Sequence, residues 1–336
     1  MMESMSSPGI TDIVYLPHGT MTLDPSLPDL PEGAADLHHR CMSIGKKAAL
    51  KQHDHVVLLA PHGIHIDGAV GVYNPGSPLT LGTGNGLWCG GWGEFEVEAE
   101  LDGELSADIY THLQTTTDKD MPPVVAVRTY GGISAPLRWS EVVPLFFLLQ
   151  NRKGASVTRR GKRVETKIAQ SSLTILTVPR IMFGSREERV RFRAHQEAAN
   201  AAVGRALDVW AKQTGKRVLL LVSGDQSHVH EPPSGVNDSK YLPDPTSHFI
   251  SNAALAAKFD GAWNEWVNAL ANDKAYAQGL VHRALQVDDQ AMCCGLSGML
   301  TINGLVQASQ SSWALVEHGY RCPSYYGMMA FMITRQ

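Results

Sequence analysis

Three short stretches of this 336-residue chain end an apolar run in a histidine beside a small or turn-forming residue: Pro17-His18-Gly19, Pro61-His62-Gly63 and Ser227-His228. Imidazole is the commonest transition-metal ligand among side chains and the group whose unperturbed charge change falls near neutral pH. A neighbouring proline or glycine limits backbone freedom and steric bulk around the ring. Residues of this type, so placed, can hold a metal ion or move a proton. The competing reading is a set of exposed or hydrogen-bonded histidines, because the chain contains 14 of them. Two copies of Pro-His-Gly, each directly after an apolar run, set His18 and His62 apart from His38, His39, His53 and His55, which lack that placement. His65 lacks it too, although it is near enough in sequence to replace His62 as a ligand.

Such residues act together only if the fold brings them together. Apolar runs rich in β-branched residues recur at 12–19, 55–63, 122–132, 171–179 and 217–225, and their unbroken character fits strands buried on both faces. Between the last two, the segment 187–214 has helical spacing and stops at Gly215. The strand–helix–strand rhythm predicts an α/β fold: one domain over 12–334, with a central, mostly parallel or mixed sheet covered by helices on both faces. In such open sheets ligands bind beyond the carboxyl ends of the strands, so His18, His62 and His228 are expected to converge on one edge.

Composition narrows the partners. With 18% charged residues and a formal net charge of -4, no strongly basic face points to nucleic acid or anionic lipid, which leaves a small molecule or another protein. The five cysteines are odd in number, and Cys293 adjoins Cys294, so they read as reduced thiols of a cytoplasmic protein rather than a disulfide framework. The first residues lack the basic and apolar regions of a secretory signal, and no run approaches the roughly 18 apolar residues of a membrane span. The basic stretch 151–167 reads as a solvated loop or hairpin. The glycine-rich stretch 81–95 lacks the Gly-Lys-Ser/Thr of a phosphate loop and reads as a loop carrying Trp88 and Trp92, poised as a lid.

The order "YLPHG", "LLAPHG" and "LVSGDQSH", followed by "FDGAWNEWVNAL", "CGLSGMLTINGL" and "CPSYYGMMAFMI", resembles the class III extradiol ring-cleavage dioxygenases. These include the protocatechuate 4,5-dioxygenase catalytic subunit, and the Memo-type proteins are related to them. The resemblance runs from about Asp12 to Thr334, and "SGDxSH" after a strand is its most specific element. It implies a mononuclear non-haem Fe(II) site with His18 and His62 as metal ligands, and an aromatic diol and O2 as substrates. It also implies that His228 is the acid/base rather than a ligand, with Asp225 and Ser223 bracing its turn. No helical partner chain that caps the site in some relatives is evident, so a homo-oligomer or the chain's own insertions would close it.

The chain departs from the family pattern in two places. Where relatives carry a glutamate or histidine as third ligand, this chain reads "VDDQAMCCGLSGM"; Cys294 matches the "CG" step of Memo-type proteins, with Cys293, Asp288 and Asp289 as rivals and a small buried helical residue as the plain alternative. A thiolate there would favour Zn or Cu(I) over iron, so a metal-binding protein without ring-cleaving activity, or a zinc hydrolase, stands beside the dioxygenase. Where relatives carry Asp-His-Gly, this chain reads "APLRWSEVVPLFF", which makes Arg138 and Trp139 the candidate substrate-binding residues, Trp139 either filling the missing histidine's space or packing on the sheet. His230 falls beyond the turn, Glu265 on a solvated helix face above Trp263 and Trp266, and Tyr325 or Tyr326 either lines the pocket or packs in the core.

Overall fold

The computed structural model describes residues 8–27, 30–77, 80–86, 92–130, 133–149, 156–159, 162–165, 172–180, 186–232 and 250–336. The first half of the chain holds β1 (Gly9–Leu16), α1 (Ala34–Leu50), β2 (His55–Ala60), β3 (Val70–Tyr73), β4 (Thr80–Gly86), β5 (Trp92–Leu101), α2 (Gly103–Thr115), β6 (Val124–Val127), β7 (Ala135–Pro136) and α3 (Trp139–Leu149). The second half holds β8 (Ser156–Arg159), β9 (Lys162–Glu165), β10 (Ser172–Thr177), α4 (Arg186–Gln213), β11 (Arg217–Ser223), α5 (Ala253–Leu270), α6 (Lys274–Leu285), α7 (Asp288–Ala291), α8 (Leu296–Ala308), β12 (Trp313–Arg321) and β13 (Met328–Arg335).

The apolar runs form the centre of a mixed sheet with the order β12-β13-β1-β11-β2-β10-β5-β4-β7. β1, β11, β2 and β10 are mutually parallel, and β13 pairs antiparallel with β1. Side chains alternate between the two faces of a strand, and the parallel strands are apolar on both. Ile13 and Tyr15, Val57 and Leu59, and Val218 and Leu220 enter one core with Val203 and Trp210 of α4, Trp263 of α5 and Ile302 of α8. Val14 and Leu16, Leu58, and Leu219 and Leu221 enter the other with Leu37 and Ile44 of α1 and Phe146 and Phe147 of α3. Helices therefore cover both faces, as an α/β sheet with unbroken apolar strands requires. Their starts are capped locally: the side chains of Asp102, Asn252 and Asp273 accept the N–H of Leu105, Leu255 and Tyr276 at the heads of α2, α5 and α6.

Two expectations need correction. The described parts of the stretch 81–95 are strand rather than loop: β4 and β5 form an antiparallel pair, Gly82 opposite Ala99 and Gly84 opposite Val97. Glycine's low strand propensity hid a ladder that only the backbone makes. Trp92 opens β5, and the lid expected of Trp88 falls outside the described residues. Among the described residues, the run 122–132 gives the four-residue β6, which is half-buried and pairs with β3, off the main path of the sheet. Within the basic segment, β8 pairs antiparallel with β9.

A buried ion cluster closes the β1–α1–β2 crossover. Asp12, on β1, is bonded to His53 Nε2 at 2.7 Å and to Lys51 Nζ at 2.8 Å, both from the turn before β2. Burial raises the Asp12 pKa, but the bond to His53, that ring's charge and the bond to Lys51 together hold the carboxyl well below the usual carboxylate range. Its folded pKa is depressed, so its contribution is complete above the unfolded value of about 4 and is lost as pH falls through the folded value. Asp12→Asn is expected to cost about 1–3 kcal/mol at pH 7. In urea titrations at pH 7 and pH 3, the gap between wild type and D12N should narrow at the lower pH; a gap independent of pH would contradict this reading.

Candidate metal centre

His18 follows β1, the Ser223–His228 segment follows β11 and His62 follows β2, so the three reach one edge of the sheet from adjacent parallel strands. Each is fixed by its backbone. The His18 N–H donates to Asp225 Oδ1 at 3.0 Å. Ser140, at the head of α3, accepts the His62 N–H at 3.2 Å and donates to the His62 carbonyl at 2.8 Å. Gly63 has φ +99°, and a Cβ there would lie 2.1 Å from Glu141 Oε1, so the residue after His62 has to be glycine. Glu141 is itself held in place: Oε2 accepts the Arg138 N–H at 2.9 Å, the reciprocal half of a helix capping box, and Tyr73 Oη donates to Oε1 at 3.2 Å.

Cys294 arrives from the far side. α7 ends at Ala291 and is capped by Met292, which has the left-handed φ of 54°, and the chain passes through Cys293 and Cys294 to Gly295 at the head of α8. Both cysteines lie in this turn rather than in a helix, which corrects that expectation. The Gly295 N–H donates to the Asp225 carbonyl at 2.9 Å, and the Asp225 N–H donates to Cys294 Sγ at 3.3 Å. The turn is thereby tied to the loop after β11.

One donor atom each from His18, His62 and Cys294 lies within 4.8 Å of the others, and a second group of the same span joins Asp225, His228 and Cys294. Cys294 Sγ is 3.2 Å from His18 Nε2, and Asp225 Oδ2 is 3.3 Å from the same nitrogen. Ligands at 2.0–2.3 Å around a tetrahedral ion are roughly 3.5 Å apart, so the donor set fits a metal ion. Two imidazoles and a thiol suit Zn(II), copper or Fe(II) better than a hard cation. The His18 Nδ1, 3.0 Å from Ser223 Oγ, can donate to that hydroxyl and leave Nε2 for the ion, the usual way an outer partner sets a ligand's tautomer.

Burial dominates the electrostatics. It takes the His18 pKa well below the usual imidazole range and the His62 pKa down to about 3, and it pushes the Cys294 thiol up to about 12, where the Asp225 charge adds to it. At neutral pH both rings are free to coordinate, and the thiol gives up its proton when a cation supplies the compensating charge. Burial also lifts Asp225 to about 7, against the N–H bonds from His18 and Gly19. His228 falls to about 4, again through burial, opposed by its bond to Gln226. Nδ1 lies 2.8 Å from the Gln226 carbonyl, which can only accept, so Nδ1 carries the hydrogen and Nε2 is the open lone pair. The His228 ring stacks on Tyr326 at 5.2 Å, and the buried Asp260 accepts from the Ser227 N–H at 3.0 Å and from Tyr320 Oη at 2.6 Å.

The remaining candidates divide clearly. Trp139 is half-buried with its ring 5.2 Å from that of His62, whereas the Arg138 side chain is exposed. Asp288 is bonded to Gln196 and Arg193, Asp289 pairs with Arg193, and His65 bonds Asp67; none of the three belongs to a candidate metal group. His230 is bonded to Asp260, and Glu265 is exposed above buried Trp263 and Trp266, as expected. Tyr325 and Tyr326 lie between β12 and β13 and pack on His228. Sequence reasoning gave Asp225 only a bracing part, yet its carboxylate is a possible donor.

No protein-family model matches the chain, and no curated protein matches it. Among solved structures, it is similar to the crystal structure of an uncharacterized protein, JW3007, from Escherichia coli K12, with a TM-score of 0.47 and 12% sequence identity over 96% of this chain and 99% of that one. No helix among the described residues is long and apolar enough to cross a membrane.

His18→Ala and Cys294→Ala are each expected to lower Zn(II) affinity by more than about 100-fold, and Ser223→Ala by about 10–100-fold as an outer partner. Metal content after dialysis against a competing chelator measures this. Full retention of zinc by both ligand variants would show that the ion sits elsewhere.

Proposed function

We propose that the protein is a mononuclear metal-dependent dioxygenase that opens a catechol-type aromatic ring beside the diol, with His18, His62 and Cys294 holding the ion. The observation that carries this reading is His228: a neutral base with its lone pair open, close to Cys294 and outside the His18, His62 and Cys294 donor group. A protein that only stored metal would have little use for it. Bound Fe(II) would supply the redox chemistry that couples O2 to the ring.

The chain's own residues do the rest. His228 takes a phenolic proton as the diol binds, and the same imidazole returns it later in the cycle, a double part suited to a group hydrogen-bonded at Nδ1 and open at Nε2. Tyr326, stacked on that ring, holds its plane. Trp139 offers an apolar wall beside His62 for the aromatic substrate. Both oxygen atoms of O2 end in the ring-opened product, so no outside reductant is needed. The four described cysteines are free, which fits a reducing cytoplasm.

A second reading has one specific observation in its favour. The third donor is a thiol, which draws Cu(I) or Zn, so a Memo-like metal-binding protein without ring cleavage is the alternative. The two separate by experiment. After anaerobic reconstitution with Fe(II), oxygen uptake on a panel of catechols, with a coloured ring-opened product, is the expected result. His228→Gln should keep its metal and lose about 10²–10⁴-fold in turnover. Silence across the panel, with copper held tightly, would replace the enzyme with the metal binder; loss of metal in H228Q would contradict the part given to His228.

A further inference from the structure

The segment after β11 that carries His228 is neither helix nor strand, yet its backbone is anchored at nearly every step. The Gln226 N–H donates to the Gly327 carbonyl at 2.8 Å, and the Gly327 N–H donates in return to the Ser227 carbonyl at 3.0 Å. The His228 N–H donates to the Ala291 carbonyl at 2.8 Å and the His230 N–H to the Tyr325 carbonyl at 3.0 Å. The amide of Ser227, directly before the base, has a side chain for its acceptor: Asp260 Oδ1, at 3.0 Å.

Asp260 lies within α5 and is 1% exposed. Its other oxygen, Oδ2, accepts Tyr320 Oη of β12 at 2.6 Å and lies 2.7 Å from His230 Nε2. A carboxylate taken this far from water is tolerable only with such donors around it, and bonds to it are stronger and more directional than those between neutral groups. A Cβ on Gly327 would lie 2.2 Å from Asp260 Oδ2 and 2.7 Å from Tyr320 Oη, so the turn between β12 and β13 closes directly on the same carboxylate. That turn carries Tyr326, whose ring is stacked on His228 at 5.2 Å. One buried side chain thus joins the residue before the base, the residue two after it and the turn that supplies its stacking partner.

The geometry points to Asp260 as the positioning residue of His228: its carboxylate sets where the imidazole and the stacked tyrosine stand, and it belongs to neither group of candidate metal donors. Its effect on turnover rests on the ring-cleavage reading; its hold on the ring does not. Two aspartates divide the work along this segment, Asp225 fixing His18 through its N–H and Asp260 fixing Ser227 through its own. A base displaced by about 1 Å from the proton it must take can cost about 100-fold in rate, while the ion and the apolar wall of Trp139 are left as they were.

Two readouts test this. In long-range proton–nitrogen correlation spectra of nitrogen-labelled, Zn(II)-loaded protein, the His228 signals are those missing from H228Q. Wild type should show one tautomer, with the hydrogen on Nδ1; Asp260→Ala should lose that single pattern and keep its zinc, and Asp260→Asn, which retains an acceptor for the Ser227 N–H, should restore it. D12N is the control for lost stability alone, because Asp12 lies in a different buried cluster; its melting temperature should fall while its His228 signals stay those of wild type. In the Fe(II)-loaded protein, D260A should lower kcat about 10–100-fold with KM changed less than about threefold, and D260N should recover most of the loss. If D260A does not fold, Tyr320→Phe decides, since it removes one donor from the carboxylate and should shift the His228 signals part of the way. Absence of turnover on every catechol, with the spectra as expected, would sink the ring-cleavage reading and leave Asp260 in its place. Wild-type His228 signals in D260A, or in Y320F where D260A does not fold, an equal disturbance of those signals in D12N, or loss of zinc from D260A would each overturn the proposal.

Discussion

The parallel pairing of β11 with β1 on one side and β2 on the other sets Leu16 opposite Ser223 and Val222 opposite Leu59, so three strands end level at one edge of the sheet. His18, the Ser223–His228 segment and His62 all leave from that line. A one-residue slip of β11 would turn Leu219 and Leu221 toward the core that now holds Val218, Leu220 and Val222, and the reverse. The packing of two different helical layers therefore holds the register, and the register holds the distance from His18 to Asp225 and Ser223. The chemistry at the edge inherits its precision from apolar residues that never touch it.

Burial is the second constraint, and it acts on His18, His62, Asp225, His228 and Cys294. It keeps His18, His62 and His228 neutral and the Cys294 thiol protonated near pH 7. Neutral imidazoles are the form that coordinates, and a thiol shielded in this way loses its proton to solvent when a metal ion takes the proton's place on sulfur. Asp225 links these groups, since its carboxylate and backbone N–H meet His18 and Cys294 while its carbonyl holds the head of α8. Because that linkage joins β1, β11 and α8, a metal bound there would also tie the ends of three elements together.

Much of this was legible in the sequence. Unbroken β-branched runs identified the central parallel strands, and the placement of Pro-His-Gly after two of them identified His18 and His62. What escaped was information that lies between elements. β4 was hidden because its glycines carry no strand signal, while the ladder with β5 depends on backbone alone. Cys294 could be named from its "CG" step, but its distance from His18 depends on a turn whose Met292 takes a left-handed conformation that its residue type does not suggest. Asp288 stood as a rival to Cys294, but Gln196 and Arg193, both from α4, bind it.

The central claim is that two imidazoles and the Cys294 sulfur bind one metal ion. X-ray absorption at the zinc edge of the loaded protein reads that shell directly. The account predicts nitrogen scatterers at about 2.0–2.1 Å and one sulfur at about 2.3 Å, with the sulfur contribution absent from Cys294→Ser. A shell of nitrogen and oxygen alone in the wild-type protein would contradict it, and would transfer the third position from Cys294 to the Asp225 carboxylate.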